Sequence, residues 1–402
     1  VGLILDPLYS MLPLTRAMGE LAWGTSNEFL LVAIPLFIML GEILLRSGLA
    51  ERMYNAMSLW LSWLPGGLMH ANIGASTLFS ATSGSSVATA ATVGTVALPQ
   101  IEKHKYNAPL FLGSLAAGGT LGILIPPSIN LVIYGVLTNT SVPKLYLAGI
   151  IPGLAVALLF MVIIVIACLI KPEWGGTKIS STWKARFASL THLIPPLAIF
   201  ILVVGSIYAG VATPTEAAAL GVLGALILAA SMRPLNIKML LECLEGTMES
   251  TAMIMLIVVG AAFMNFIMSG IGLTNTLTSA ITNLGVSPLT MLLILVVLYL
   301  ALGCFMETLS MMITTIPIVA PVMIALGYDP VWLGIVIIIL VEVALITPPV
   351  GLNLFVVQSL RPSGSMNDVM LGSVPFVFML LAMVALLAIF PDLALWLPRL
   401  FG

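Results

Sequence analysis

The chain has 402 residues, 60% of them hydrophobic and only 7% charged, with a formal net charge of −2 and a mean hydropathy of +1.18. A soluble domain carries about 25% charged residues, so this chain has too few to cover a water-facing surface and reads as an integral membrane protein. No basic run marks a nucleic-acid partner, and no nucleic acid is expected.

Residues 1–26 hold Asp6, Arg16 and Glu20 and make no clean span, and the chain opens at Val1 without a Met or a signal-peptide pattern. A natural segment is therefore expected ahead of Val1. Apolar runs long enough to cross a bilayer, about 20 residues each, fall near 27–46, 107–137, 144–170, 190–210, 214–232, 247–270, 329–360 and 371–396. Residues 48–64, with Arg52, Tyr54, Trp60 and Trp63, predict an amphipathic helix lying at the interface. Residues 235–246 and 271–284 are shorter candidates for the same role.

Two stretches fit no simple count of crossings. Residues 66–103 have two apolar arms around Ser80-Ala81-Thr82-Ser83-Gly84-Ser85-Ser86, and residues 287–326 have two around Cys304-Phe305-Met306-Glu307-Thr308-Leu309-Ser310. Each arm is short for a full crossing, so both predict re-entrant helical hairpins that enter and leave on one side. The long runs 107–137 and 329–360 are broken in turn, at Ile125-Pro126-Pro127-Ser128 and at Thr347-Pro348-Pro349-Val350. A Pro-Pro pair removes two N–H donors and pushes the residue before it out of the helical region. Carbonyls freed in this way persist in a membrane only beside protein or a wet cavity.

The charges agree with non-crossing hairpins. Arg46, Arg52, Lys103, Lys105, Lys171, Lys178, Lys184, Arg186, Arg233, Lys238 and Arg361 then share one side, against Arg16, Lys144 and Arg399 on the other. That asymmetry marks the first side as cytoplasmic. An internal repeat points the same way. At a lag of 222 residues Gly24-Thr25 meets Gly246-Thr247, Ser47-Gly48 meets Ser269-Gly270, and Pro126-Pro127 meets Pro348-Pro349. An odd number of crossings separates the copies, which predicts an inverted relation, as in many transporters.

The expected fold is thus an all-α polytopic membrane protein of two inverted-topology repeats with re-entrant hairpins and broken helices. Its expected division is 1–65 scaffold start and interfacial arm, 66–143 first transport half, 144–286 scaffold and arm helices, 287–362 second transport half, and 363–402 C-terminal scaffold helix.

Two half-helices meeting at a break near mid-membrane form an ion or substrate site in secondary transporters. Na⁺, a hard cation, prefers neutral or anionic oxygens. A first Na⁺ is expected between Ser83, Ser85 and the carbonyls of Gly122, Ile125 and Pro127. The competing reading, that Ser and Gly only allow close helix packing, loses ground because a Pro-Pro break faces the tip. A second Na⁺ is expected at Thr308, Ser310, Thr347 and Pro349, so at least two ions. Glu307, an ionisable group deep in the membrane, either assists a cation, carries a proton, bonds a substrate hydroxyl, or lies at a hairpin mouth touching water. Asn130 and Asn353 either donate to a substrate carboxylate or cap the restarted helix.

Other polar residues read more plainly. Thr213-Pro214-Thr215-Glu216 is a capping box. Glu28 and Glu42 flank an apolar run, and Glu342, six residues before Pro348, is assigned a structural role in preference to a site. Cys168, Cys243 and Cys304 lack metal spacing. His70, His104 and His192 are isolated, and the Gly-rich phosphate loop ending in Gly-Lys is absent, so an intramembrane hydrolase is a distant alternative.

Together, Phe79–Thr92, Leu124-Ile125-Pro126-Pro127-Ser128, Ala212–Ala219, Thr347-Pro348-Pro349-Val350-Gly351 and Ala33–Glu42 resemble the large membrane subunit of the tripartite ATP-independent periplasmic (TRAP) transporters. The resemblance covers nearly the whole chain. It implies an elevator-type fold of the wider ion-transporter superfamily, and Na⁺-coupled uptake of a small organic acid across the bacterial inner membrane. It also implies two partners, a periplasmic substrate-binding protein and a small membrane subunit. Positions facing substrate would be near Ser85, Ser86, Asn130 and Glu307, with Asn353 as the counterpart of Asn130. A self-sufficient Na⁺- or H⁺-driven carboxylate carrier is the alternative within transport. Dicarboxylates, sialic acids, keto acids and ectoine-like zwitterions are all compatible as cargo.

Overall fold

Inside a bilayer every backbone N–H and C=O must be bonded within its own segment or to a neighbour, which favours helices for apolar runs of this length. The computed structural model describes residues 14–177, 182–232, 236–273, 276, 279 and 285–401, and regular structure among these is helical. In order they are α1 (Leu14–Ser26), a 3₁₀ turn (Phe29–Val32), α2 (Ala33–Arg46), α3 (Leu49–Leu61), α4 (Leu68–Ser83), α5 (Ser86–Ala97), α6 (Pro99–His104), α7 (Ala108–Thr120), a 3₁₀ turn (Leu121–Ile123) and α8 (Ile129–Thr138). Then come α9 (Val142–Ile170), α10 (Trp183–Ser189), α11 (Ile194–Phe200), α12 (Pro214–Met232) and α13 (Ile237–Gly270). The last are α14 (Pro288–Leu302), α15 (Thr308–Ala325), α16 (Pro330–Ile346), α17 (Leu352–Ser359), α18 (Met366–Ile389) and α19 (Asp392–Phe401). Among the described residues, seven helical segments are long and apolar enough to cross a membrane: Phe29–Arg46, Val142–Ile170, Trp183–Tyr208, Pro214–Met232, Ile237–Gly270, Thr308–Ala325 and Met366–Ile389.

The helices sort into two packed groups. In the first, α2 lies against α12 and α13, α1 against α13, and α11 against α12. Here Thr215 donates to the Phe29 carbonyl at 3.1 Å, and the capping box forms, with Glu216 accepting from Thr213 N–H and Oγ1, both at 2.8 Å. In the second group α7 packs on α4, α5 and α18, α9 on α4, α16, α18 and α19, and α16 on α15 and α18. Small residues set the closest crossing, as is usual where lipid gives no hydrophobic drive to helix pairing. A Cβ on Gly113 of α7 would lie 1.9 Å from the Gly372 carbonyl oxygen of α18, and one on Gly372 would lie 1.8 Å from that of Pro109. The arm α3 spans the groups by packing on α4 and α5 of the second and on α2 of the first.

Contacts at the ends join loops that the charge pattern put on one side. At the basic end Arg46 pairs with Glu42 and with Glu242, Trp60 donates to the Arg186 carbonyl at 3.1 Å, and Thr177 N–H bonds His104 O at 2.8 Å. The first hairpin closes there too: Tyr106 Oη accepts from Leu68 N–H at 2.9 Å, so the chain returns to the end it left. At the opposite end Tyr208 donates to Pro143 O and Tyr134 to Pro330 O. Lys178 and Arg233 lie outside the described residues, as does most of the candidate arm 271–284.

Two expectations need correction. The candidate arm 235–246 is not separate: Ile237–Gly270 is one helix of 34 residues, about 51 Å at 1.5 Å per residue, long enough to cross and project. The second arm of the second hairpin, α15, has 18 residues and is long enough to cross by itself. Helices α9 and α18, which fall in the ranges 144–286 and 363–402, pack on the hairpin-bearing group.

Candidate functional site

The first tip forms because Gly84 takes the left-handed conformation, φ +62°, open to glycine at little cost. It stops α4, and α5 restarts with Ser85 as N-cap, its Oγ accepting from Ala88 N–H at 3.4 Å. The tip lies directly on the first Pro-Pro break. A Cβ on Gly84 would meet the Pro127 carbonyl oxygen at 2.8 Å, and one on Gly122 would meet the Ser85 carbonyl oxygen at 2.4 Å. Ser83 Oγ lies 3.0 Å from Thr89 Oγ1, which donates to the Ser85 carbonyl at 2.7 Å. Ser83, Ser85, Gly122 and Pro127 are thereby brought together, and Ile125, 6% exposed, sits in the same break. Hydroxyl and carbonyl oxygens are the donors that Na⁺ takes.

The break itself is held by a residue that sequence reasoning missed. Ser128 donates to the Ile123 carbonyl at 2.5 Å and accepts from Leu131 N–H at 3.3 Å, so it both bridges the gap and caps α8. Ser after Pro-Pro was the available signal. The capping alternative for the asparagines is therefore overturned. Asn130 Nδ2 lies 3.3 Å from the Met312 sulfur of α15. Asn353 donates to Ala116 O at 3.1 Å, and α17 is capped by Gly351 without a side-chain bond.

In the second half, Glu307 is the N-cap of α15. Its carboxylate accepts from Leu309 N–H at 2.9 Å, Ser310 N–H at 3.2 Å and the Thr308 hydroxyl at 2.6 Å. Thr347 donates to the Val343 carbonyl at 2.6 Å. A cavity of about 120 Å³ runs between this tip and the second break, lined by Gly303, Glu307, Thr308, Leu345 and Val350 among others. Ser310, Thr347 and Pro349 do not line it, and Pro349 is exposed where the first break is buried. The second proposed cation set is thus less assembled than the first.

Both halves meet in one cavity of about 420 Å³. Ser83 to Ala88 line it from the first tip, Ile123, Ile129 and Asn130 from the first break, Glu307 to Leu309 from the second tip, and Leu352 from the second break. The opposite wall comes from the other helix group, with Gly41 and Glu42 of α2 and Ser250 and Met253 of α13. Four of the five residues expected near substrate, Ser85, Ser86, Asn130 and Glu307, face this space; Asn353 is packed behind it against α7. Four helix N-termini, those of α5, α8, α15 and α17, converge on the cavity. First-turn N–H groups of α5, α8 and α17 carry partial positive charge and favour anions, whereas those of α15 are already taken by the Glu307 carboxylate. The C-terminal ends of α4 and of the turn at Ile123 reach the same space and favour cations. Of the described residues lining the cavity none is Lys, Arg or His, and Glu42 and Glu307 are among them, so attraction for an anion there rests on the helix ends alone. No group of three or more His, Cys, Asp or Glu gathers anywhere among the described residues.

Two of the three histidines are engaged elsewhere. His70 Nε2 lies 2.8 Å from Pro65 O, and His104 Nδ1 lies 3.0 Å from Thr177 Oγ1; neither contact pairs a histidine with a serine.

Residues 1–393 match the family model described as tripartite ATP-independent periplasmic transporter, DctM component. The C4-dicarboxylate TRAP transporter large permease protein DctM of Pseudomonas aeruginosa is 34% identical, over 96% of this chain and 90% of its own length. The sialic acid TRAP transporter large permease protein SiaM of Vibrio cholerae is also 34% identical, over 94% and 88%. The ectoine TRAP transporter large permease protein TeaC of Halomonas elongata is 32% identical, over 92% and 86%. Among solved structures, the YdaH transporter of Alcanivorax borkumensis superposes with a TM-score of 0.64 at 18% identity, covering 95% of this chain and 88% of that one. MtrF of Neisseria gonorrhoeae, described as an antimetabolite efflux pump, gives 0.63 at 14% identity, covering 98% and 85%. These two likenesses concern the fold.

Proposed function

This chain belongs to the DctM family, the large permease subunits of tripartite ATP-independent periplasmic transporters, and from that premise we propose that it imports a small organic acid together with Na⁺. It is the transport subunit of a TRAP importer, a multi-pass protein of the bacterial inner membrane. Its proposed partners are a periplasmic binding protein that delivers the cargo and a small membrane subunit.

The observation that carries the reading is the convergence of three helix N-termini free of an acidic cap, those of α5, α8 and α17, on a cavity bounded by both tips and both breaks. A carboxylate there would take N–H donors from the helix ends, hydroxyls from Ser85 and Ser86 and the Asn130 amide, without a buried cationic side chain. One Na⁺ would sit among Ser83, Ser85 and the carbonyls of Gly122, Ile125 and Pro127, and a second near Thr308, Ser310, Thr347 and Pro349. With sodium bound at the helix C-termini, the positive charge beside the cavity rises and the anion is held more tightly. That is how two ligands come to depend on each other.

Movement follows from the packing. The cavity lies between two helix groups, so sliding one against the other exposes it to either side, the elevator reading, with the two halves inversely related. We place α9 and α18 with the moving group. Relatives carry C4-dicarboxylates, sialic acid and ectoine by name, so the cargo class is a small carboxylate, and the chain moves it unaltered.

The test is uptake into proteoliposomes holding this chain and its small subunit, with its binding protein outside and labelled succinate, sialic acid or ectoine as probes. Uptake of one probe is expected only with an inward Na⁺ gradient and the binding protein. Uptake indifferent to collapsing that gradient overturns the sodium coupling. Uptake by this chain with no binding protein present favours the self-sufficient carrier.

A further inference from the structure

Among the described residues, Glu342 is a charge-bearing residue that is fully buried with both carboxyl oxygens unpartnered. It sits on α16, whose residues are all buried from Val331 to Ile346, and it is itself 0% exposed. Both carboxyl oxygens lack a hydrogen-bond partner among the described residues. The two-carbon stem cannot carry the group to water past a full turn of buried Ile and Leu on either side. Neighbours on its own helix face, Ile338, Ile339, Leu345 and Ile346, offer no side-chain oxygen or nitrogen.

Every helix packed on α16 can be searched for a counter-charge. Tyr134 of α8 bonds Pro330 O, Tyr146 of α9 bonds Ser128 O and Tyr299 of α14 bonds Thr315. Lys144 of α9 and Asp392 and Arg399 of α19 are exposed, and Asp368 of α18 pairs with Arg361. Cys168 lies near the basic end of α9, against Gly66, and Glu307 caps α15. Helices α7 and α17 carry no titratable residue. None of these faces Glu342.

An isolated carboxylate removed from water is too costly to persist in such a place without a bound cation. Na⁺ needs several oxygens around it, and Glu342 offers only its own two. We propose that Glu342 is a proton-binding site: one carboxyl oxygen carries H⁺ in this conformation and gives it up to water in another. The site lies on the helix that ends at the second break, five residues before Thr347. Opening of that break is the movement that would admit water, the proton passing to a water molecule and the carboxylate remaining on the helix. This rests on the importer reading and adds a proton to the ions that accompany the cargo.

Two measurements test it, one of them independent of transport. Infrared spectra of the purified full chain in nanodiscs, wild type minus Glu342→Gln, are expected to show a protonated-carboxyl C=O band that shifts in D₂O. Absence of that band in a folded pair overturns the proposal. In the reconstituted complex, Na⁺-driven uptake is expected to carry protons read by a lumenal pH dye. Glu342→Gln, which keeps the neutral shape, is expected to abolish that proton movement and flatten the pH profile of uptake while keeping at least a tenth of the rate. A variant that matches wild type in both readings shows a permanently neutral acid and sinks the idea. Wild-type complex that takes up no probe with Na⁺ present strikes the importer reading instead; the proton site is then decided by the infrared band alone, which is expected to fade as the pH is raised and which overturns the proposal if it persists unchanged.

Discussion

At the residue scale the candidate site depends on contacts between main-chain atoms more than on charged side chains. Gly84 and Gly122 are the points where tip and break touch, each facing a carbonyl that a Cβ would strike. Around them the oxygens are neutral, so a hydroxyl should matter chiefly through ion affinity. Ser83→Ala removes one oxygen without adding bulk. The loss is about 1–2 kcal/mol for a hydrogen-bond-scale ligand, or roughly 5- to 30-fold in affinity. The half-maximal Na⁺ concentration for uptake should therefore rise by that factor, with the maximal rate less affected. An unchanged Na⁺ activation curve removes Ser83 from the ion site. These serines were legible in the sequence because Ser-Gly-Ser-Ser interrupts an apolar context. Thr89, which bonds Ser83, was not, since its hydroxyl lies six residues away on a different helix and only the fold brings the two together.

At the element scale the two breaks were read correctly because their cause is local: proline lacks the N–H and restricts its predecessor wherever it stands. Which residue restarts the helix was not read correctly. Asn130 and Asn353 both suit an N-cap by type, yet Ser128 holds the position in the first half and Gly351 in the second. Ser128→Ala should cost about 1–2 kcal/mol through loss of the cap and leave the buried Ile123 carbonyl short of a partner. The expected outcome is a lower melting temperature in detergent, with Ser128→Thr closer to wild type than Ser128→Ala. If alanine melts like wild type, the bridging role of Ser128 is wrong. The misreading at 235–246 has a different origin. Glu242, Glu245 and Glu249 lower the local hydropathy and make the stretch look detached, but glutamate is a good helix former and α13 runs straight through it.

At the scale of the whole molecule, sequence carried the class but not which helix travels with which. Lipid-facing and protein-facing sides of a membrane helix are both apolar, so periodicity says little about partners, and α9 and α18 were assigned by position in the chain alone. Close packing now ties α18 to α7 through Gly113 and Gly372, and α9 to α4, α16 and α18. Relative sliding would have to break those backbone contacts if α18 stayed behind, whereas α2 meets the first tip less closely, a Cβ on Gly41 lying 3.2 Å from the Ser83 carbonyl oxygen. Spin labels can separate the two divisions. Leu223 on α12, Leu158 on α9 and Phe378 on α18 are all exposed, and none lines the cavity. With Cys168, Cys243 and Cys304 replaced, the pair at 158 and 378 should give one distance whether or not Na⁺ is present. The pair at 223 and 378 should give a distribution that redistributes on adding Na⁺ and cargo. A fixed distance for 223 and 378 would return α18 to the scaffold, together with α9 if the pair at 158 and 378 also stays fixed, and remove the shared Gly113–Gly372 crossing from the moving unit.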